Sequence, residues 1–248
     1  MAKKTIGQSF LDGTKPDTMP RPPQKEGAPQ PHLELPYDES DGEIIPLKPA
    51  SKINLDAKDL REAIEGRKTH RTYAHRPITL DELTYALFMT QGVKKVVKNK
   101  VTFRTVPSAG ARHPFETILL INNVEGLKRG LYRYLALDHK LQRLEASPDI
   151  NQKIRRACLK QPQIEEAGAV FLWIADAYRT TYRYGERGYR YIFLDAGHVA
   201  QNLYLVAEQI GCGVCAIAAY DDDRLNTLLG LDGEEQFTAY VASLGKLE

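Results

Sequence analysis

The sequence has 248 residues, 42% of them hydrophobic and 27% charged, enough for one sizeable core in a single α/β or α+β domain. Its 34 basic and 32 acidic residues leave a formal charge of +2, which excludes a global field that would gather nucleic acid or an anionic membrane, so any anion site is local. Three cysteines, Cys158, Cys212 and Cys215, are too few for a disulfide framework, no stretch approaches a membrane span, and no apolar signal-peptide run follows the basic start at residues 1–4, so the expected location is cytoplasmic.

Residues 1–50 hold nine of the 14 prolines and show neither helical nor alternating periodicity, which predicts an extended arm. Leu33, Leu35, Ile44, Ile45 and Leu47 among those prolines favour a strip laid along another surface over a free tail. The remaining residues, 51–248, form the predicted domain. Leu60, Ala63 and Ile64 fall at helical spacing between Asp56 and Gly66. Thr79 with Glu82 makes a capping box, and Leu83, Ala86, Leu87 and Thr90 mark the inward face of a helix that ends at Gly92. Residues 101–106, 117–121, 131–135 and 141–144 read as the strands of an antiparallel meander, followed by a helix over 149–159 and an apolar strand over 169–175.

The strongest periodicity runs from Tyr191 to Ile210, apolar nearly all round, which predicts a long buried helix, about 30 Å, at the centre of the fold and against a second subunit. A strand from Gly211 to Ile217, a short helix to Leu229 and a last strand over 238–244 complete the chain. Hairpins mixed with helices, without regular βαβ alternation, predict an α+β fold.

Several clusters carry chemistry. Arg67, Lys68, Thr69, His70 and Arg71 form the densest cationic run; two guanidiniums, an ammonium and a hydroxyl suit one phosphate, and a solvated charge run fits the bare residues equally. The absence of interleaved acids between Arg67 and Arg71, and the amphipathic segments that bracket the run, favour the phosphate. Residues 107–114, Pro-Ser-Ala-Gly-Ala-Arg-His-Pro, concentrate small side chains where backbone can approach a planar ligand. Gly211, Gly213 and Ala216 match G-x-G-x-x-A, but a helix precedes them and a strand follows, the reverse of a dinucleotide fingerprint, so they end the helix instead. Cys212 and Cys215, three apart in a strand, point to opposite faces as packed thiols; the six scattered histidines offer no metal site. Tyrosines and arginines alternate over 178–191, which suggests arginine stacked on tyrosine around a cleft.

Taken in order, these segments resemble the nitroreductase superfamily and, within it, the SagB-type dehydrogenases. The Arg67-Lys68-Thr69-His70-Arg71 run resembles the R-R-S-x-R element that holds the FMN phosphate. Pro107-Ser108-Ala109 with His113-Pro114 resembles a segment that faces the flavin from the neighbouring subunit. Asp195-Ala196-Gly197-His198 with Gln201-Asn202-Leu203 resembles the long dimer helix, and residues 216–221 stand where a strand covers one flavin face.

The resemblance spans roughly residues 55–245 and implies a central mostly antiparallel sheet with flanking helices, an obligate homodimer and FMN bound by Arg67, Lys68, Thr69, Arg71, Pro107, Ser108, Ala109, Ala111, Ile217, Ala218 and Ala219. It also implies ping-pong electron transfer from NADH or NADPH to an organic acceptor of nitro or quinone type. A peptide- or amine-oxidising dehydrogenase and a non-catalytic flavin- or phosphate-binding module are the alternatives.

Three positions depart from the pattern. Ala111 stands where asparagine is common, Ala218-Ala219 replace Glu-Gly, and Arg183-Tyr184 matches a catalytic Lys-Tyr pair. Arginine keeps its proton at any working pH, so Arg183 cannot act as a general base; anchoring an anionic group is the expected role, with Tyr184 donating to substrate.

Overall fold

A computed structural model describes residues 3–248; Met1 and Ala2, at the head of the basic start, lie outside the described residues. The arm opens with a helix, α1 (Ile6–Gly13), where Thr5 and Gln8 complete a capping box. Strand β1 (Ile44–Pro46) follows, then α2 (Leu60–Gly66), whose N-cap Asp59 carboxylate accepts from the Arg61 and Glu62 amides, and α3 (Leu80–Gln91), opened by the Thr79–Glu82 capping box. Next come β2 (Val93–Val97), β3 (Val101–Arg104), β4 (Phe115–Ile121), β5 (Gly130–Leu135), β6 (Lys140–Arg143), α4 (Ile150–Ala157) and α5 (Gln163–Glu166). The chain finishes with β7 (Ala169–Asp176), α6 (Ala177–Tyr184), α7 (Gly188–Gln209), β8 (Cys212–Ile217), α8 (Asp222–Leu228) and β9 (Gln236–Lys246).

Seven strands form one sheet in the order β1-β6-β5-β4-β7-β9-β8, and every named pairing in it is antiparallel. Strand β7 lies inside the sheet, between β4 and β9, and its unbroken apolar run follows from burial on both faces. Ala169, Phe171, Trp173 and Ala175 join a core roofed by α3 and α7, whereas Val170, Leu172 and Ile174 join one that includes α4 residues Ile150 and Ile154 and α8 residue Leu225. The α+β layering expected from the sequence is therefore present. Cys212 belongs to the first core and Cys215 to the second, the opposite-face packing that a separation of three predicts. Gly211, at φ 62, ends α7 in the left-handed region as expected of a helix stop.

Four expectations need correction. Strand β3 is not part of the meander: it pairs with β2 in a separate two-stranded hairpin, turned at Lys98 and Asn99, both with positive φ, as a tight primed turn requires. The arm is not extended throughout, since α1 is helical. On α2 only Ala63 is buried, and Leu60 and Ile64 remain 64% and 53% exposed. Helix α7 is longer than predicted, 22 residues, and is not covered all round, because Phe193 and Leu194 are 54% and 61% exposed in one chain.

The arm lies across the sheet and is tied down by buried charge. The Leu35 amide donates to Glu116, Arg133 donates to the Leu35 and Pro36 carbonyls, Arg104 donates to the Leu33 carbonyl, and the Ala136 amide donates to Glu34. Burial presses the Glu116 carboxyl upward, but the guanidiniums of Arg179 and Arg133 outweigh it and hold its pKa below the usual range. Among the described residues, no helix is long and apolar enough to cross a membrane.

Candidate functional site

Two groups of residues predicted for the site gather on α7, some distance apart. The first forms where α2 ends and the chain runs extended beside β8. Thr69 makes a parallel bridge to Val214, and the His70 amide donates to the Val214 carbonyl at 2.9 Å. This approach depends on Gly213, where a Cβ would stand 2.6 Å from the His70 Cβ. Tyr204 of α7 is the hub: its hydroxyl lies 3.1 Å from Thr69 Oγ1, accepts from the Ala216 amide at 3.0 Å, and its ring carries the Arg67 guanidinium at 5.2 Å. Arg67 is half-buried, and Lys68, Thr69 and Arg71 are exposed. Among the described residues none of the three cations forms an ion pair. Burial and the Lys68 charge lower the His70 pKa, which keeps that ring from adding a further positive charge at neutral pH. Ile217 is buried at the end of β8; Ala218 and Ala219 continue past the strand, exposed, with the Ala219 carbonyl accepting from Gln161.

The second group is the turn between β3 and β4. Gly110, Ala111 and His113 have φ of 58°, 53° and 46°, so two residues with a side chain occupy the left-handed region within three positions. Each such residue costs of order 1–3 kcal/mol and persists only where its surroundings dictate it. The surroundings are specific. Arg112 donates from Nε to the Arg179 carbonyl at 2.6 Å and stacks on Tyr182, and the buried His113 ring, pressed by burial and then by the Arg104 charge, has its pKa pushed down to about 3. Arg183 and Tyr184, at the end of α6, stand against Gly110, where a Cβ would overlap the Tyr184 hydroxyl and crowd the Arg183 side chain. Arg183 stacks on the Tyr184 ring, which meets Tyr191 edge to face at 4.8 Å. The arginine-on-tyrosine arrangement expected over 178–191 is thus present.

Within one chain these groups do not merge. The turn reaches α7 at Asp195 and the cationic run reaches it at Tyr204, nine residues on, about 14 Å along a helix axis. Pro107, Ser108, Ala109 and Ala111 therefore stand with Arg183 and Tyr184, whereas Arg67, Lys68, Thr69 and Arg71 stand with Ile217, Ala218 and Ala219. A roomy concavity of about 690 Å³ contains none of them; it lies near β5, β6 and α4, lined by Arg129 and Arg143 together with Asp41, Glu43 and Glu145. Mixed charge of that kind neutralises itself, so size does not make it the site. Tyr204 and Asp195 were missed as contact residues by sequence reasoning, because a tyrosine or acid within a helical repeat reads as packing or surface.

The chain was compared with known proteins. A profile described as the nitroreductase family matches residues 64–246, which takes in both groups. The chain belongs to the nitroreductase family. One family relative is MJ1384 of Methanocaldococcus jannaschii, named for the nitroreductases, 36% identical over 71% of this chain and 86% of that one. Two others are the trifolitoxin-processing protein TfxB of Rhizobium leguminosarum, 27% identical over 64% of this chain and 44% of TfxB, and the microcin B17-processing protein McbC of Escherichia coli, 30% identical over 58% of this chain and 62% of McbC. They bear out the resemblance to the SagB-type branch of the nitroreductases, although the chain spans less than two thirds of either. The chain is accordingly an oxidoreductase of nitroreductase type.

Proposed function

We propose that this oxidoreductase binds FMN without a covalent bond and passes electrons in ping-pong fashion from NADH or NADPH to an organic acceptor of nitro or quinone type. The observation that carries the reading is the set of three cations without carboxylate partners, Arg67, Lys68 and Arg71, beside the Thr69 hydroxyl and the end of β8. That donor set fits a phosphate, with charge-assisted contacts from the cations and a hydroxyl donor from threonine. When bound, the flavin supplies two-electron redox chemistry that no side chain of the chain provides.

In this reading the residues of the chain bind and orient. Arg67, Lys68, Thr69 and Arg71 hold the phosphate; Ile217, Ala218 and Ala219 cover one face of the ring with backbone and small side chains. The turn carrying Pro107, Ser108, Ala109 and Ala111 belongs, in a homodimer, to the flavin site of the neighbouring subunit. The separation of the two groups along α7 supports this, since one chain does not close the site. Tyr184 donates a proton or hydrogen bond to the substrate, and Arg183 anchors an anionic group on it.

Purified protein is expected to be yellow and to take up FMN on titration. Arg71→Ala removes charge-assisted contacts worth about 1.5–3 kcal/mol and weakens binding by roughly 10- to 150-fold. A colourless protein that takes up no FMN would refute the reading. A second reading, dehydrogenation of a peptide or small amine, draws support from TfxB and McbC, both named for processing a peptide product. Arg183 weighs against it, because a guanidinium does not abstract protons. Anaerobic reduction of the bound flavin by NADH, NADPH or an amine-bearing peptide separates the two.

A further inference from the structure

We infer that Asp195 is a positioning residue that locks the turn from Ser108 to His113 in its cofactor-facing shape, acting through Ser108 and the Ala109 amide. Its functional part rests on the flavin reading above.

The carboxylate lies on α7 and is almost fully buried, 3% exposed. No lysine or arginine pairs with it; the nearest cationic candidate is His198, with Nδ1 at 3.9 Å and a half-exposed ring. A buried carboxylate without a strong counter-charge is expensive to keep, and an apolar residue would pack that face of α7 more cheaply. What the carboxylate has instead is the turn. Ser108 donates from Oγ to Asp195 Oδ2 at 2.5 Å, and the Ala109 amide donates to Oδ1 at 3.2 Å. Ser108 Oγ in turn accepts from the His113 amide at 2.9 Å. One carboxylate thereby ties both ends of the segment, Ala109 directly and His113 through the serine hydroxyl.

The segment so tied is the strained one. Gly110, Ala111 and His113 all take positive φ, and a chain released from its ends leaves that region. The tie also sets what faces outward. With Ser108 and His113 fixed, Gly110 sits against Tyr184 and Arg183, and the small side chains of Ala109 and Ala111 are left free of the core. Burial holds the Asp195 pKa above the usual carboxylate range, with the Ser108 and Ala109 donors and then the His198 charge pulling against it. Because Tyr204 lies on the same helix, α7 spaces the cationic run and the turn as one rigid rod.

The test uses the full chain with and without FMN. In the apoprotein, hydrogen exchange of residues 107–114 reads the turn itself; with FMN, the dissociation constant and the visible spectrum read its consequence. Asp195→Ala is expected to deprotect that segment and to weaken FMN about tenfold or more, Ser108→Ala to do the same, and the double variant to be no worse than Asp195→Ala, as members of one contact chain behave. Should Asp195→Ala fail to fold, Ser108→Ala and Asp195→Asn, which keeps one acceptor oxygen and is expected to be intermediate, carry the test. Parental exchange and parental FMN affinity in Asp195→Ala, or strictly additive losses in the double variant, would overturn the inference. A parental protein that takes up no FMN yet shows Asp195-dependent exchange would refute the flavin reading and leave the clamp without a cofactor role.

Discussion

At Gly110 the backbone takes a φ of 58° and the space a methyl group would need is filled by the Tyr184 hydroxyl. Gly110→Ala therefore meets strain and a clash together, and should lower stability by about 1–3 kcal/mol, roughly 2–12 °C in melting temperature for a chain of this size, read by calorimetry. FMN uptake should weaken in the same variant, because the turn and Tyr184 move as one. At Arg183 and Tyr184 the expectation is kinetic: Arg183→Lys and Tyr184→Phe retain bound FMN and slow turnover of the best acceptor, with the arginine change acting on KM for anionic acceptors. Parental rates in both would show that the pair only packs at the start of α7. A gain of dehydrogenase activity in Arg183→Lys would mark the arginine as the point of divergence from the peptide-oxidising chemistry. These residues could be picked out in the sequence as a basic and aromatic stretch. Their neighbour Gly110 could not be joined to them, because that contact bridges more than 70 residues and periodicity reports only one element at a time.

Elements with a buried face were the most legible. The α3 capping box and its inward residues appear where the spacing puts them, and β7 was readable because a strand covered on both sides has no polar alternation to obscure it. Thr79→Ala removes that cap and should cost about 1 kcal/mol, measured by denaturant unfolding with an unchanged slope. Strand β2 was hidden by Lys94 and Lys95, which an exposed two-stranded hairpin tolerates and a sheet strand would not. Helix α1 carried a usable signal, Thr5 three residues before Gln8, but buries no side chain, and the prolines that follow mask it. It is held through its last turn by Arg187 and Arg190, which donate to Thr14 and Leu11.

The rest of the arm depends on Glu34, whose carboxyl is pushed up to about 7 by burial and then by Glu116, against the pull of Arg104 and the Ala136 and Leu137 amides. A carboxyl raised in the fold favours the folded form most at low pH. The contribution is complete below about 4.5, and up to about 3 kcal/mol of it is lost as pH rises through about 7. Proteolysis within residues 28–40 should accelerate between about pH 4.5 and pH 7, and Glu34→Gln should flatten that dependence.

At the scale of the molecule, apolar surface remains on helices that a single chain does not cover. Phe193 and Leu194 on α7 and Leu60 and Ile64 on α2 stay more than half exposed. If α7 is the dimer face, sedimentation at micromolar concentration should show one dimeric species, and Phe193→Glu should yield monomer with reduced FMN retention, since in the proposed site the turn comes from the partner. Obligate interfaces of this type bury on the order of 2,000–5,000 Å². A parental monomer that still holds FMN would remove both the interface and the shared site.

The contacts that fasten the arm also order the chain's assembly in time. Leu35, Glu34 and Asp38 bond to residues 81, 102 and 104 positions further along, and β1 pairs with β6. During synthesis at about 5–20 residues per second, this segment emerges ahead of its partners and waits roughly 5–20 seconds before its binding surface exists. Its composition suits the wait. Prolines cannot complete a hydrogen-bonded strand ladder, so the arm stays unable to pair with other nascent chains until the sheet it belongs to has formed. The arm, made before the strands that hold it, is thus among the last segments to fold.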